Sequence, residues 1–279
     1  MTRAAEPGTL FVVSTPIGNL GDMTLRAIET LKAVDAIMAE DTRHTRRLLD
    51  HYAITTPMES YHEHIEAKAT PRILERLRGG AKLALVSDAG TPLVSDPGAR
   101  LVRAAVEEGL RVVPIPGASA VLAALVASGM VEDGPFTFFG FAERKGADRR
   151  ELLETVVTCP HVCVLYEAPG RVAHTLDELA SSGAGDRRAA VARELTKQFE
   201  EVRRGTVREL ATYYDESPPR GEVVIVLQGA APIAPSEESM LARARVLRSE
   251  GYSARDVARA LAEEFGAARN VAYRLAQDA

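Results

Sequence analysis

The feature that most constrains this chain is a repeated pattern. A short apolar or β-branched run is cut off by a proline or glycine turn and followed by a helical stripe. Thr9–Thr15 is the first such run, and Pro16 ends it. Ala36–Ala39, Leu83–Ser87 and Val112–Ile115 repeat it. These runs lack the polar alternation of a half-exposed strand, so each predicts a strand buried on both faces. Between them, Leu25, Ile28, Leu31 and Val34 share one helical face starting at Thr24. Thr42–Leu49 predicts a helix carrying Arg43, Arg46 and Arg47, and Arg72–Arg78 predicts another, ended by Gly79 and Gly80. Ser60–His64 reads as a polar loop. Asp96 reads as the cap, and Pro97 as the first residue, of a helix whose face is Leu101, Ala105 and Val106. Strands alternating with helices predict an α/β fold with a mostly parallel sheet covered on both sides.

The second half changes character. Phe136–Phe141, His161–Tyr166, Arg188–Glu194 and Glu222–Leu227 read as strands, with Phe199–Thr206 pairing beside the third. A helix is expected at Val172–Leu179. The expected organisation is an N-terminal α/β domain over 1–118 and a second α/β domain with a mixed sheet over 119–232. A linker and small helical extension follow over 233–279. The 279 residues suit two domains at about 150 residues each. Ala230–Glu238 reads as the linker, and helices are expected near Ser239–Ser249, Ala254–Phe265 and Asn270–Gln277, the second capped by Ser253 with Asp256 three residues on.

Charge and cysteine content narrow the classes. Thirty-four Lys and Arg against 39 Asp and Glu give a net charge of −5, which excludes a strongly basic nucleic-acid protein but leaves room for a local arginine face. Two cysteines and no tryptophan exclude a disulfide-built scaffold. Cys159 and Cys163 flank a strand entry around His161 without turn-borne ligand spacing, and His62 and His64 have no cysteine beside them, so no metal is expected. Met1–Gly8 lacks the basic and apolar regions of a signal peptide, and no apolar stretch reaches membrane-spanning length. The expectation is a cytoplasmic protein with reduced thiols.

Three glycine-containing turns, residues 16–22, 88–92 and 116–120, follow three strands. In an open parallel sheet, ligands bind at the carboxyl ends of the strands, so the three turns point to one cleft. Gly18 and Gly21 suit close backbone approach; Asp22 reads either as a cap for the following helix or as a ligand contact. The first turn lacks the G-x-G-x-x-G spacing of a dinucleotide site, and no Gly-Lys-Ser/Thr follows it as in a Walker loop.

The motifs Ser14–Thr15–Pro16–Ile17–Gly18–Asn19–Leu20–Gly21–Asp22, Ala39–Glu40–Asp41–Thr42–Arg43, Ser87–Asp88–Ala89–Gly90–Thr91–Pro92 and Pro116–Gly117–Ala118–Ser119–Ala120 occur in that order. Tyr166–Glu167–Ala168–Pro169–Gly170–Arg171 and Ala192–Arg193–Glu194–Leu195–Thr196–Lys197 follow. In these the chain resembles the tetrapyrrole (corrin/porphyrin) methylase superfamily from about Gly8 to the C terminus. Within it the chain resembles the branch that methylates ribosomal RNA of the bacterial small subunit. The resemblance implies a tetrapyrrole-methylase-like fold of two α/β domains with a cofactor cleft between them. It implies S-adenosyl-L-methionine as methyl donor, a homodimer, and the ribose 2′-hydroxyl of a 16S rRNA cytidine as acceptor. Tetrapyrrole-modifying relatives carry a Gly-x-Gly-x-Gly-Asp type first loop. The Pro16–Asp22 form departs from it, which argues against the alternative of a porphyrinoid substrate. A non-enzymatic RNA-binding or assembly factor is the third possibility.

On that resemblance Pro16, Gly18, Leu20, Asp88, Gly90, Thr91, Ser119, Ala120 and Tyr166 are the expected cofactor-binding residues. Asp88 accepts a hydrogen bond from the cofactor, faces its positive charge, or caps its own turn, and Tyr166 packs on the adenine or belongs to the core. Glu40 and Lys197 are the expected catalytic pair, polarising or deprotonating the ribose hydroxyl; a basic lysine would need a strongly lowered pKa. Asp41, Arg43, Arg46, Arg47, His62, Arg171 and Arg193 are expected at the RNA, with interdomain salt bridges as the competing role. The C-terminal helices resemble a helix-turn-helix unit that touches RNA or packs on the dimer.

Overall fold

Two five-stranded sheets follow from the two kinds of strand pattern. The computed structural model describes residues 8–131, 134–231 and 236–279. The readings for residues 1–7, and for the linker at 232–235, fall outside the described residues. The first sheet uses β1 (Thr9–Val13), β2 (Ala36–Ala39), β3 (Met58–Ser60), β4 (Lys82–Val86) and β5 (Arg111–Ile115) in the order β3-β2-β4-β1-β5, and every pairing in it is parallel. Leu83 and Leu85 of β4 enter one core and Ala84 and Val86 the other, so the strand is buried on both faces as its apolar run requires. Helices α1 (Leu25–Ala33) and α2 (Thr42–His51) supply Leu31, Leu48 and Leu49 to one face. Helices α3 (Glu63–Arg78) and α4 (Ala99–Glu107) supply Ile73, Leu77 and Leu101 to the other. After β1 the chain runs past β4 to β2, whereas after β4 it runs the other way past β1 to β5. Adjacent central strands therefore send their loops in opposite directions and leave a crevice at their carboxyl ends.

Local readings needed three corrections. The segment read as the loop Ser60–His64 contains the end of the edge strand β3, paired with Ile37–Ala39, and the cap His62 of α3. That helix begins at Glu63 rather than at Arg72, because Pro71 sits inside it and reads in sequence as a breaker. Helix α4 begins at Ala99 with Gly98 at its cap, so Asp96 and Pro97 lie upstream of the helix they were expected to open. Asp22 ends a short 3₁₀ turn, and Thr24 caps α1 by accepting from the Ala27 amide at 3.1 Å.

Helix α5 (Ala120–Ser128) leads to the second sheet. Strands β6 (Phe136–Phe141), β7 (Val162–Glu167), β8 (Arg188–Arg193), β9 (Glu201–Thr206) and β10 (Val223–Leu227) lie in the order β6-β7-β10-β8-β9. The β6–β7 pair is parallel and the other three pairs are antiparallel. Val224 and Val226 face α5, while Val223, Ile225 and Leu227 face α6 (Ala147–Thr158), α7 (Val172–Leu179) and α8 (Val207–Glu216). Within this unit, which runs to Ala230, we propose the division at 118–119, between the sheet of residues 9–115 and that of 136–227. A separate unit starting at Ala231 holds α9 (Glu237–Ser249), α10 (Ala254–Phe265) and α11 (Arg269–Asp278) around Met240, Leu247, Val257, Leu261 and Leu275. Ser253 caps α10, accepting from the Asp256 amide at 3.2 Å.

A buried ionic network anchors the end of β7. Glu167 and Arg149 are almost fully buried. Glu167 accepts from Thr175 Oγ1 at 2.6 Å and the Ala168 amide at 2.8 Å, and pairs with Arg171 at 2.6 Å. Arg149 donates to Glu178 at 2.9 Å, to Thr175 at 2.8 Å and to the Glu143 carbonyl at 3.0 Å. Removing Arg149 leaves Glu167 with Arg171, Thr175 and the Ala168 amide, but takes away the buried hydrogen bonds to Glu178, Thr175 and the Glu143 carbonyl. Arg149→Ala is therefore expected to cost about 1–3 kcal/mol of stability, read as a lower midpoint in urea unfolding. A midpoint within error of the parent would contradict that account.

Candidate functional site

The three turns singled out in the sequence are sewn to one another. Thr15 and Gly90 exchange backbone hydrogen bonds of 2.8 and 3.1 Å. Ser14 Oγ lies 3.1 Å from Thr91 Oγ1, and Thr91 Oγ1 donates to the Ala118 carbonyl at 3.3 Å. Close approach demands glycine at two points. Gly90 holds φ +76° with Ile17 packed against it, and a Cβ at Gly117 would sit 2.9 Å from Ser14 Cβ.

Beside these turns lies a cavity of ≈ 270 Å³, close to the roughly 300 Å³ lower range of small-ligand pockets. The first half of the chain lines it with Ile17, Ala89, Gly90, Thr91, Val94, Ser95, Asp96, Ser119 and Ala120. The second half contributes Phe141, Tyr166–Pro169 and Gly221–Val224. Of the expected cofactor residues, Gly90, Thr91, Ser119, Ala120 and Tyr166 meet there, whereas Pro16, Gly18, Leu20 and Asp88 are not in its wall. Gly18 packs against the Lys197 side chain, and Leu20 is exposed with its carbonyl held by the Tyr52 hydroxyl. Asp88 accepts the Asp41 amide at 3.0 Å and so ties the β2–α2 turn to the β4 turn.

Sequence reasoning missed Ile17, Asp96, Phe141 and Glu222. Asp96 left a signal: Ser95–Asp96 repeats the Ser87–Asp88 pair within one long connection, Ser87–Gly98, and long loops in compact domains are often functional. Leu93 (φ +75°) and Ser95 (φ +65°) are left-handed without being glycine, a strain that persists only where surroundings enforce it. Glu194 (φ +50°) and Thr196 (φ +68°) do the same before Lys197.

Charge is concentrated around the cavity. Burial pushes the Asp96 carboxyl up to about 6; the Glu40 and Asp88 charges add to the rise and the Ser87 hydroxyl opposes it. Burial, then the Asp88 charge, also raises Glu40, whose carboxylate accepts the Asp88 amide at 3.4 Å. Burial pushes Tyr166 to about 12, with Asp96 adding to it. Lys197 donates to Glu194 at 2.8 Å and Glu222 at 2.9 Å. Burial works against its charge, but the two carboxylates prevail and its pKa is raised, so the lowered pKa a basic lysine needs is absent. Glu40 and Lys197 share no partner among the described residues, and neither is in the cavity wall.

The expected RNA residues separate into two groups. Asp41 caps α2, and the Arg43 guanidinium holds its carboxyl down at about 2. Arg43 is exposed in that pair, and Arg46 and Arg47 are exposed on α2 with no ion-pair partner among the described residues. His62 caps α3, its ring centroid 5.8 Å from that of His64. Arg171 and Arg193 are instead committed to Glu167 at 2.6 Å and Glu201 at 2.8 Å.

Residues 9–211 match the family model described as tetrapyrrole (corrin/porphyrin) methylases. The chain is 46% identical over 271 residues to a Synechocystis protein named ribosomal RNA small subunit methyltransferase I, covering 96% of this chain and 97% of that one. It is 50% identical over 224 residues to the Mesorhizobium japonicum protein of the same name, covering 80% and 76%. Among solved structures, uroporphyrin-III C-methyltransferase from Thermus thermophilus, complexed with S-adenosylhomocysteine, superposes with a TM-score of 0.56 at 18% identity, covering 79% of this chain and 97% of that one.

Gly90 is where the sewn turns meet the cavity. Gly90→Ala places a Cβ 3.3 Å from Ile17 Cγ2 at φ +76°. The expected cost is about 1–2 kcal/mol, measured by urea unfolding. An unchanged midpoint would show that the turn relaxes freely.

Proposed function

The chain belongs to the tetrapyrrole (corrin/porphyrin) methylase family and, within it, to the ribosomal RNA small subunit methyltransferase I group; from that premise we propose how its cavity serves methyl transfer to RNA. The protein is a methyltransferase acting on the ribose 2′-hydroxyl of a cytidine in 16S rRNA. One observation carries the assignment of the site: a single cavity joins the turns after β1, β4 and β5 to the ends of β7 and β6 and the start of β10. The porphyrinoid alternative recedes, because relatives at 45–50% identity carry the ribosomal name. The superposed uroporphyrin-III enzyme, at 18%, shares the fold alone.

The cavity's donor set fits S-adenosylmethionine. Ile17, Val94, Val223 and Val224 give apolar walls, Thr91 and Ser119 give hydroxyls, and Asp96 and Glu222 give carboxylates suited to a cationic ligand. Glycine spares room at Gly90 and Gly221, where a Cβ would strike Glu194. When bound, S-adenosylmethionine supplies an electrophilic methyl carbon on a sulfonium. The protein holds the acceptor oxygen in line with it and manages one proton. Phe141 and Tyr166, tilted with ring centroids 5.2 Å apart, offer an aromatic surface to a planar ring. Asp88 acts on the donor through the turns it ties, and Pro16, Gly18 and Leu20 shape the first turn. Glu40 positions the Asp88 backbone, and Lys197, as an ammonium, polarises the acceptor side.

Arg43, Arg46 and Arg47 on α2, with Asp41 and His62 beside them, form the proposed RNA face; Arg171 and Arg193, held by Glu167 and Glu201 of the second sheet, are not part of it. A homodimer is proposed on the exposed apolar residues Leu122 and Val126 of α5 and Leu25 of α1. Among the described residues no helix is long and apolar enough to cross a membrane.

Three measurements test the reading. Titration calorimetry is expected to detect S-adenosylmethionine binding to the isolated protein, and labelled methyl groups are expected to reach unmethylated small subunits. Affinity for those subunits should fall as salt rises. Replacing Arg43, Arg46 and Arg47 with alanine should flatten the log–log slope by up to about 3 if each meets one phosphate. A salt-independent affinity, unchanged in the triple variant, would remove α2 from the RNA face.

A further inference from the structure

Three carboxylates line the cavity: Asp96, Glu167 and Glu222. Glu167 is spent on Thr175, the Ala168 amide and Arg171. Glu222 is mostly exposed and paired with Lys197. Asp96 alone of the three has no ion-pair partner among the described residues, and it sits half-buried in the wall. The loop that carries it is held in an unfavourable backbone state at Leu93 and Ser95, and Gly98 (φ +122°) closes that loop against Leu85. A loop fixed at such cost aims its side chain rather than leaving it free. The residues first expected to take a proton lack these properties, since Lys197 is a paired cation and Glu40 lies outside the wall.

We infer that Asp96 is the proton acceptor for the attacking ribose hydroxyl, an assignment that rests on the ribose methyltransferase reading of the same cavity. The 2′-oxygen forms its bond to the methyl carbon as the carbon–sulfur bond breaks and leaves its electron pair on sulfur. The hydroxyl proton passes to an Asp96 carboxylate oxygen. The products are the 2′-O-methyl ether, neutral S-adenosylhomocysteine and protonated Asp96, which returns its proton to water. The groups that face Asp96 are Ser87, Glu40 and Asp88 from the first sheet and Tyr166 from the second. The Glu40 and Asp88 carboxylates make the loss of its proton harder and its acceptance easier. Because the acceptor must be ionised, the rate rises as pH climbs through about 6 and then levels. The fold carries the opposite sign. A carboxyl whose pKa is raised by folding opposes stability once ionised, so its burden is absent at low pH and complete above about 6.

The test compares the full-length parent with Asp96→Asn and Asp96→Glu on unmethylated small subunits. Single-turnover rates across pH, calorimetric affinity for S-adenosylhomocysteine, and melting temperature across pH are measured together. Asp96→Asn is expected to slow methyl transfer by about 10²–10⁴-fold and to lose the limb near pH 6. It should keep S-adenosylhomocysteine affinity within about threefold, and Asp96→Glu should restore part of the rate together with the limb. Its melting temperature should exceed the parent's at about pH 8, with the gain shrinking as pH falls below about 6. A rate for Asp96→Asn within about threefold of the parent, or an acid limb that survives in it, overturns the inference. So does a rate loss matched by an equal loss of affinity, which would make Asp96 a binding group. A parent that binds the donor yet methylates no subunit overturns the functional reading itself, and with it this assignment.

Discussion

The two backbone hydrogen bonds between Thr15 and Gly90 hold the turns after β1 and β4 together, and the cavity depends on that bridge. Parallel strands whose chains leave in opposite directions open a crevice, and nothing in the ladder itself keeps its lips in register. The bridge does so, and the Ser14–Thr91–Ala118 hydroxyl chain extends it to the third turn. Ile17 can then serve twice. It packs with Val121, Val164, Ala190 and Val224 in the core between α5 and the second sheet, and it also walls the cavity. A residue of the first sheet's turn is thus part of the second sheet's core, and the site inherits the rigidity of both.

Electrostatics divides the site into two regions. On the first-sheet side, the Asp88 charge adds to the rise of Glu40, the Glu40 and Asp88 charges add to the rise of Asp96, and backbone amides donate to Glu40 and Asp88. On the second-sheet side, Lys197 is ion-paired to both Glu194 and Glu222, with the Lys197 stem packed on Gly18. The first region suits a cation and a departing proton; the second fixes the Glu194–Lys197 loop without releasing a basic amine. Glu167, the last residue of β7, belongs to neither region: with Arg149 and Arg171 it is held in an ion-paired network that fixes the wall at Ala168 and Pro169.

Much of the fold was legible because its cause is local. The double-sided burial of β4 is written in Leu83–Val86, and the cap of α10 in Ser253 and Asp256. Errors arose where a local rule was overruled by distant partners. Pro71 stays inside α3 because that helix is held by burying Ile73, Leu74 and Leu77 against the sheet. Asp96 and Pro97 have the chemistry of a helix start, yet the chain turns at Gly98 first, where the approach to Leu85 leaves no room for a Cβ.

By itself, the sequence determined most of the strand and helix order, though not β3, α6 or α8, together with the three turns and their glycines and the motifs that carry the family resemblance. These depend on periodicity, backbone freedom and residue type, which act over a few neighbours. Tertiary structure decided which polar residues face the cavity and which are spent elsewhere. Asp88 went to the Asp41 amide, Arg193 to Glu201 and Lys197 to two glutamates, while Asp96 was left in the wall without a counter-ion among the described residues. The reason is that a side chain's proton affinity and free hydrogen-bonding capacity are set by burial and by charges brought from elsewhere in the chain.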